Sequence, residues 1–305
     1  MSLVAAFEPI WVLTGLGYLG RRTGLLGDSA DSVLGRFVFH LAMPAALFLA
    51  LSAMPLSHFA NRSLIAFAAS TAAVIGVGWL GASRWFDRKP AERPIWGMAA
   101  GYVNSANLGI PIAQQVLGSI SFLAEVVLLQ VLVVTPVILL ALDRHADPSG
   151  RIRVRRIVSL PVRNPVILAS ALGVLWSAAG LRIPPVAGDS LHLLAAAAVP
   201  VALIALGSSL HGGERLDGAR TEISVIAGAK LVLQPAVALL VGVALGLTRA
   251  QLLAVVVCAG LPTAQNTFIF AQEYGIGRAL ASRAVLVSTS LSLLTLAAIA
   301  GLLRG

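Results

Sequence analysis

Amide side chains surround a proline inside a long apolar stretch in the first half of the sequence. Asn104 and Asn107 precede Pro111, and Gln114 follows it. Proline has no N–H to donate and its ring clashes with the carbonyl four residues earlier, so a helix is expected to break here. Polar groups at membrane depth are costly unless they line a cavity or pair with other protein groups. The pattern predicts a binding site, and its alternative is a kinked helix whose amides hydrogen-bond to neighbouring helices.

A second proline with amides beside it occurs in the other half of the chain. Pro262 is followed by Gln265 and Asn266 within another apolar run. Two broken helices at corresponding places in two halves are typical of transporter sites near the bilayer midplane. The N-termini of the half-helices would present free N–H groups and a positive dipole end to a ligand. We therefore expect a small organic anion to bind between the two prolines.

Two further polar residues lie inside apolar runs. Lys230 is the only lysine within a predicted helix, and an intramembrane cation is expected to have a function and a partner. We expect it to attract the anion or to replace a coupling cation, with snorkelling of its ammonium to the interface as the alternative. Gln130, mid-way along its predicted helix, is expected either to face the same cavity or to hydrogen-bond to a neighbouring helix.

The composition is that of a membrane protein. The chain has 305 residues, of which 58% are hydrophobic and 11% charged, whereas soluble domains carry about 25% charged residues. The net charge of +9 is spread over short connections, so we expect membrane lipid and not nucleic acid as a partner. The single cysteine, Cys258, excludes a disulfide framework and a cysteine-rich metal site, and we expect neither a metal nor a cofactor.

Ten apolar runs approach the roughly 20 residues that a helix needs to cross a bilayer. They are predicted at roughly 3–20, 30–53, 62–83, 95–116, 120–142, 163–180, 188–211, 221–246, 249–271 and 277–303. The sequence therefore predicts an all-α membrane protein in three parts. These are a first repeat of five helices at 1–142, a basic cytoplasmic linker at 143–160 and a second repeat of five helices at 161–305.

Lysine and arginine are unevenly divided between the two sides of this ten-helix arrangement. Sixteen fall on the side of the 143–160 linker, four fall on the other side, and two lie within helices. Because positive residues concentrate on the cytoplasmic side, the linker is predicted to be cytoplasmic and both termini to be outside. We expect a multi-pass protein of a bacterial inner membrane.

An internal repeat relates the two halves. Six residues between positions 9 and 25, and four between 44 and 52, recur 156 positions later. Pro111 and Gln114 match Pro262 and Gln265 at a different offset, 151. Because each half holds an odd number of helices, the second repeat is expected to be inverted in the membrane relative to the first.

Sequence motifs for hydrolysis and for ATP binding are absent. The chain contains no HExxH, GxSxG or GxxxxGK[ST] segment. We therefore expect a secondary transporter and not an enzyme or an ATP-driven pump. A membrane sensor or channel that does not pump remains the alternative from another class.

Several segments, in a fixed order along the chain, point to one family. They are Asn104 to Pro111, Val127 to Gln130, Lys230 to Val237, Gly246-Leu247, Leu261-Pro262 and Phe270 to Tyr274. Together they resemble the auxin efflux carrier family, which includes the plant PIN carriers and bacterial malonate-permease-like proteins. The resemblance spans nearly the whole chain.

This resemblance implies ten helices in two inverted repeats, with helices 4 and 9 broken at prolines and crossing there. It implies that a transport domain moves against a scaffold domain, and that the protein forms a homodimer. A small carboxylate, auxin-like or malonate-like, would bind beside the crossover against Asn104 or Asn107. Gln130 would belong to a supporting polar site.

Two departures from the plant carriers are visible. The long cytoplasmic loop is missing, and the predicted third helix at 62–83 has no Asp or Glu where those carriers have an acid. A sodium-coupled carrier similar to the bile-acid symporters, which share this helix plan, is the second transporter candidate. A proton or a sodium ion is therefore left open as the coupling ion, as are passive transport and the direction of transport.

Overall fold

The computed structural model describes residues 3–53, 61–119, 121–146, 165–211 and 219–304. Within these residues the chain is helical, and the β-structure is limited to one isolated bridge. The α-helices are α1 (Leu3–Arg22), α2 (Ala30–Phe37), α3 (Met43–Ser52), α4 (Arg62–Arg84), α5 (Arg93–Gly101), α6 (Ile110–Leu117), α7 (Ser121–Leu129), α8 (Thr135–Ala146), α9 (Pro165–Ala178), α10 (Pro185–Leu210), α11 (Ala219–Gly228), α12 (Gln234–Ala244), α13 (Arg249–Ala259), α14 (Asn266–Tyr274) and α15 (Arg278–Arg304).

Six continuous helical segments among the described residues are long and apolar enough to cross a membrane. They are Ala30–Ser52, Arg62–Arg84, Ser121–Arg144, Pro185–Leu210, Arg220–Ala244 and Arg278–Leu303. The predicted helices at 95–116 and 249–271 are each divided into two shorter pieces, α5 with α6 and α13 with α14. Helix α8 continues to Ala146, past the predicted start of the linker at 143, and most of that linker lies outside the described residues.

In the part of the chain that the structure describes, four helical segments contain a wider π-helical turn, which we call a π-turn. The π-turns are Val38–Ala42, Ser105–Gly109, Gln130–Val134 and Ala229–Leu233. Each ends two residues before a proline, namely Pro44, Pro111, Pro136 and Pro235. In the third, the N–H of Thr135 bonds to the carbonyl of Gln130, five residues back. The wider turn gives the proline ring room, which is why these helices continue past their prolines.

The helices pack as two bundles. The first bundle consists of α1, α2, α3, α9 and α10, and the second bundle consists of α4 to α8 and α11 to α15. Each helix packs chiefly against members of its own bundle. Between the bundles, the contact at Gly35 of α2 is with the flexible side chain of Gln272.

Glycines bring backbones close together within the first bundle. A Cβ added at Gly17 of α1 would overlap the carbonyl oxygen of Ile204 in α10. A Cβ added at Gly173 of α9 would lie 2.9 Å from the carbonyl oxygen of Phe48 in α3. Gly173 is 156 residues after Gly17, and Ile204 is 156 residues after Phe48. The offset found in the sequence thus also relates two packing contacts in space.

The same offset relates the divided helices and corrects one sequence match. Helices α5 and α13 begin 156 residues apart, and so do α6 and α14. The match of Pro111 with Pro262 at an offset of 151 is therefore not a structural equivalence. Pro262 lies in the gap between α13 and α14, whereas Pro111 is the second residue of α6, shortly after the Ser105–Gly109 π-turn. The first helix is interrupted at Tyr102–Asn104, before that π-turn.

Candidate functional site

The two interruptions meet inside the second bundle and bond to each other. The first interruption is Tyr102–Asn104 and the second is 260–265, and we call the pair the junction. Val103 and Thr263 form an antiparallel β-bridge. The N–H of Asn104 donates to the carbonyl of Pro262 at 2.8 Å, and the N–H of Ala264 donates to the carbonyl of Tyr102 at 3.0 Å. Each interruption satisfies backbone groups of the other, which makes extended backbone tolerable in an apolar interior.

Gln130 supports the first interruption from a neighbouring helix. Its side-chain oxygen accepts a hydrogen bond from the hydroxyl of Ser105, and its side-chain nitrogen donates to the carbonyl of Val103 at 2.9 Å. Gln130 is 1% exposed and is the first residue of its π-turn. Of the two sequence hypotheses for Gln130, the structure thus supports the hydrogen bond to a neighbouring helix.

Thr263 fixes the second interruption in a comparable way. Its N–H donates to the hydroxyl of Ser288 in α15 at 3.1 Å. Its own hydroxyl donates to the carbonyl of Ala99 in α5 at 2.7 Å. Thr263 is fully buried, so these two bonds tie the second interruption both to α15 and to the helix before the first interruption.

Lys230 and Gln234 lie where α5 and α13 end. The ammonium of Lys230 donates to the carbonyl of Ala259 at 2.8 Å and to the side-chain oxygen of Gln234 at 2.6 Å. The side-chain nitrogen of Gln234 donates to the carbonyl of Gly101 at 3.1 Å and to the hydroxyl of Thr71 at 3.2 Å. Lys230 is fully buried, so its ammonium does not snorkel to the interface.

The structure brings several of the predicted site residues to the junction. Asn104 and Gln265 are both buried there, and Asn266 is the first residue of α14. Asn107 lies in the π-turn that follows the first interruption, and Pro111 and Gln114 lie in α6. The side chains of these last three residues are outside the part of the structure that is described.

The helix ends around the junction have opposite electrostatic character. Helices α5 and α13 arrive with their C-terminal carbonyl ends, where Lys230 and Gln234 bond to them. The chain then leaves through the N-terminal ends of the Ser105–Gly109 π-turn and of α14. An N-terminal helix end carries about half a positive charge. The departing side of the junction is therefore suited to an anion.

Comparison with known proteins assigns the chain to a family. The family described as "Membrane transport protein" matches residues 3–300, nearly the whole chain. The chain belongs to this family. The resemblance to auxin efflux carriers seen in the sequence is thereby confirmed.

Three relatives illustrate how far this membrane transport protein resembles others. It is 29% identical over 306 residues to the "Putative malonate transporter" of Rhizobium meliloti (strain 1021), which covers 97% of the chain and 94% of that protein. It is 27% identical over 283 residues to the "Uncharacterized transporter YfdV" of Escherichia coli (strain K12), covering 88% and 87%. It is 29% identical over 137 residues to the "Probable auxin efflux carrier component 1b" of Oryza sativa subsp. japonica, covering 43% and 25%.

Sequence reasoning missed Gln234, Ser288 and Thr71 in this membrane transport protein. For Gln234 a signal was available, because it lies four residues after Lys230 and so on the same face of its helix. For Ser288 and Thr71 there was no signal, since serine and threonine occur throughout these apolar helices and usually bond to their own backbone.

A cavity lies away from the junction of this membrane transport protein. Its volume is about 130 Å³, and Arg88, Glu92 and the start of α15 line it. The guanidinium of Arg88 is already paired with the carboxylate of Glu222, through hydrogen bonds from both Nε and Nη2. We therefore place the candidate site at the junction and not in this cavity.

The Arg88–Glu222 pair is expected to contribute modestly to stability. The hydrogen bond to Glu222 raises the pKa of Arg88 above its ordinary value, against the opposing effect of burial. A raised pKa on a cation contributes stability that is fully present below the unfolded pKa and is lost as the pH rises through the folded pKa, so Arg88 stays charged at neutral pH. Since the Arg88 side chain is 31% exposed, solvent screens the interaction. A double-mutant cycle of Arg88→Met and Glu222→Gln should give a coupling of about 1 kcal/mol.

The measurement is the melting temperature of the purified protein at low and high salt, with Arg84→Met as the control for loss of a nearby arginine. The coupling should shrink at high salt. Additive effects of the two substitutions would show that the pair contributes nothing to stability.

Proposed function

We propose that this chain is a secondary transporter, not an enzyme, and that it moves a small organic anion by alternating access. The observation that carries the proposal is the junction, where two interrupted helices meet and present helix N-termini beside buried amides. Such discontinuous helices supply anion-binding groups in membrane transporters. The anion binds on the side from which the Ser105–Gly109 π-turn and α14 depart.

The proposed substrate contacts are the amides around the junction. They are Asn104, Asn107, Gln114, Gln265 and Asn266, on backbone shaped by Pro111 and Pro262. Gln130 holds the first interruption in place through Val103 and Ser105. Lys230 acts on the anion through its charge and not by contact, because its ammonium is engaged by Ala259 and Gln234.

The proposed motion is a displacement of the second bundle, which contains the junction, against the first bundle. We propose ten membrane-crossing helices in two inverted repeats, 1–142 and 161–305. The fourth and ninth of these ten helices, at 95–116 and 249–271, cross at the junction. The contacts Gly17–Ile204 and Gly173–Phe48 support the repeat, since the same offset of 156 relates them. We also propose a bacterial inner-membrane location, both termini outside, and a homodimer.

The proposed substrate class is a small carboxylate. Two relatives are named for a malonate transporter and an auxin efflux carrier, and both malonate and the natural auxin indole-3-acetate are carboxylates. The positive helix ends at the junction are compatible with such a group. A proton, a sodium ion or neither accompanies the substrate.

Ligand-dependent stabilisation of the purified protein tests the substrate class. Malonate, succinate, indole-3-acetate and taurocholate would each be added with and without sodium, because a ligand that binds the native state raises the melting temperature. Uptake of the stabilising carboxylate into proteoliposomes should saturate and show counterflow. Uptake that only follows the gradient without saturating would support a channel and contradict the proposal.

Removing an amide at the junction should reduce transport. We expect Gln265→Leu to lower carboxylate uptake at least about tenfold, the equivalent of ~1.4 kcal/mol, because one hydrogen bond to a charged group contributes this much. Gln251→Leu, at an exposed position in the first turn of α13, is the matched control and should retain uptake. Equal uptake in both variants at equal expression would remove Gln265 from the site.

A further inference from the structure

The cationic side chain at the junction is held by oxygen atoms and not by an acid. Among the described residues, the Lys230 ammonium donates to the carbonyl of Ala259 and to the side-chain oxygen of Gln234, at 2.8 and 2.6 Å. Lys230 is fully buried, as is Gln234. The two form a pair four residues apart on one helix face, within and directly after a π-turn.

The two oxygen-bearing partners connect the ammonium to both interrupted helices. Ala259 is the last residue of α13. Gly101 is the last residue of α5, and its carbonyl accepts from the Gln234 nitrogen at 3.1 Å. Gln234 therefore connects the Lys230 ammonium, which is bonded to the end of α13, to the end of α5.

The C-terminal ends of α5 and α13 favour a positive charge between them. The C-terminus of a helix carries about half a negative charge, so two such ends together approach one full unit. Carbonyl and amide oxygens around a buried negative region are also the ligands that a hard cation such as sodium would choose. In this chain the place is taken by a covalently attached ammonium.

We propose that Lys230 is a resident cation that occupies the position a sodium ion would take between the ends of α5 and α13, so that folding of the junction and transport are independent of sodium. The transport part of this inference rests on the proposed function, whereas the folding part does not. Lys230 is a positioning residue, because it holds the two helix ends together and does not touch the substrate.

A thermal experiment without substrate tests the folding part. The chain has two lysines, so Lys89→Met, in an exposed loop, is the matched control for Lys230→Met. The wild type and Lys89→Met should melt at equal temperatures in sodium chloride and choline chloride. Lys230→Met should melt about 5 °C lower or more, because the carbonyl of Ala259 and the side-chain oxygen of Gln234 lose their donor. Lys230→Ala should regain stability with methylammonium chloride, which fits the vacated volume, whereas Lys230→Met should not.

Three outcomes would overturn the inference. They are a wild-type protein that sodium stabilises over choline, a Lys230→Met variant as stable as Lys89→Met, and a Lys230→Ala variant that neither methylammonium nor sodium stabilises. If Lys230→Ala does not fold, the comparison of the wild type in sodium and choline still decides the question.

Uptake experiments then separate this inference from the proposed function. Wild-type uptake of malonate or indole-3-acetate should be the same in sodium and in choline buffers. Sodium-dependent uptake would overturn the resident-cation inference while supporting a transporter. If the wild type takes up no carboxylate but shows the thermal pattern above, the proposed substrate class fails and the resident cation stands.

Discussion

Gly17→Ala should destabilise the packing of the first bundle, whereas Gly15→Ala on the same helix should leave it intact. An added Cβ at Gly17 would overlap the carbonyl oxygen of Ile204. This oxygen is a backbone atom of α10, so no change of side-chain rotamer can move it away. At Gly15 nothing lies within 4 Å of an added Cβ. We expect Gly17→Ala to cost about 3 kcal/mol. The melting temperature should therefore fall by roughly 10 °C.

The reciprocal contact offers a second test of the same packing. An added Cβ at Gly207 of α10 would overlap the carbonyl oxygen of Thr14 in α1. Gly207→Ala should therefore match Gly17→Ala in its effect, and the double variant should lose less than the sum, because one separation of α1 and α10 relieves both overlaps. Melting curves of the purified proteins in detergent are the measurement. If Gly17→Ala and Gly15→Ala melt together, α1 and α10 do not approach this closely.

Gln130→Met should destabilise the junction and abolish most transport. The substitution keeps the length of the side chain but leaves the carbonyl of Val103 and the hydroxyl of Ser105 without their partner in a buried environment. Each unpaired group costs about 1–3 kcal/mol, so we expect a loss of about 2–4 kcal/mol in total. Because the first interruption carries Asn104, carboxylate uptake should also fall more than about tenfold, equivalent to ~1.4 kcal/mol.

A control in the same π-turn distinguishes the loss of the Gln130 hydrogen bonds from the effect of any substitution in that turn. Val133 is 49% exposed on the outer side of that turn, so Val133→Met should be close to neutral. The readouts are the melting temperature and the initial rate of malonate uptake at matched expression. Wild-type behaviour of Gln130→Met would mean that the first interruption needs no support from this helix.

How much the sequence predicted depended on whether the signal was local. Hydropathy predicted helical, membrane-crossing segments because burial in lipid needs only about 20 apolar residues in a row. The prolines indicated disturbed helices, yet the first interruption lies at Tyr102–Asn104 and not at Pro111. A proline shows that a normal turn fails, but a π-turn or a full interruption can each resolve the clash. Which one forms depends on partners from other helices.

The partner of Lys230 shows why part of the candidate site could not be predicted from the sequence. An intramembrane ammonium predicts a partner, and an acidic residue would have been visible in the sequence. The partner in α13 is the backbone carbonyl of Ala259, and every residue has such a group. Only the fold, which ends α13 beside Lys230, distinguishes this carbonyl from the others.

The π-turns set the rotational phase of the helices that contain them. One residue in an α-helix advances the direction of its side chain by about 100°. A turn that holds one extra residue therefore rotates everything on one side of it by about that angle relative to the other side. Lys230 and Gln130 both lie in such turns, ahead of Pro235 and Pro136. The prolines thus decide towards which neighbour these polar side chains point, although they bond to neither.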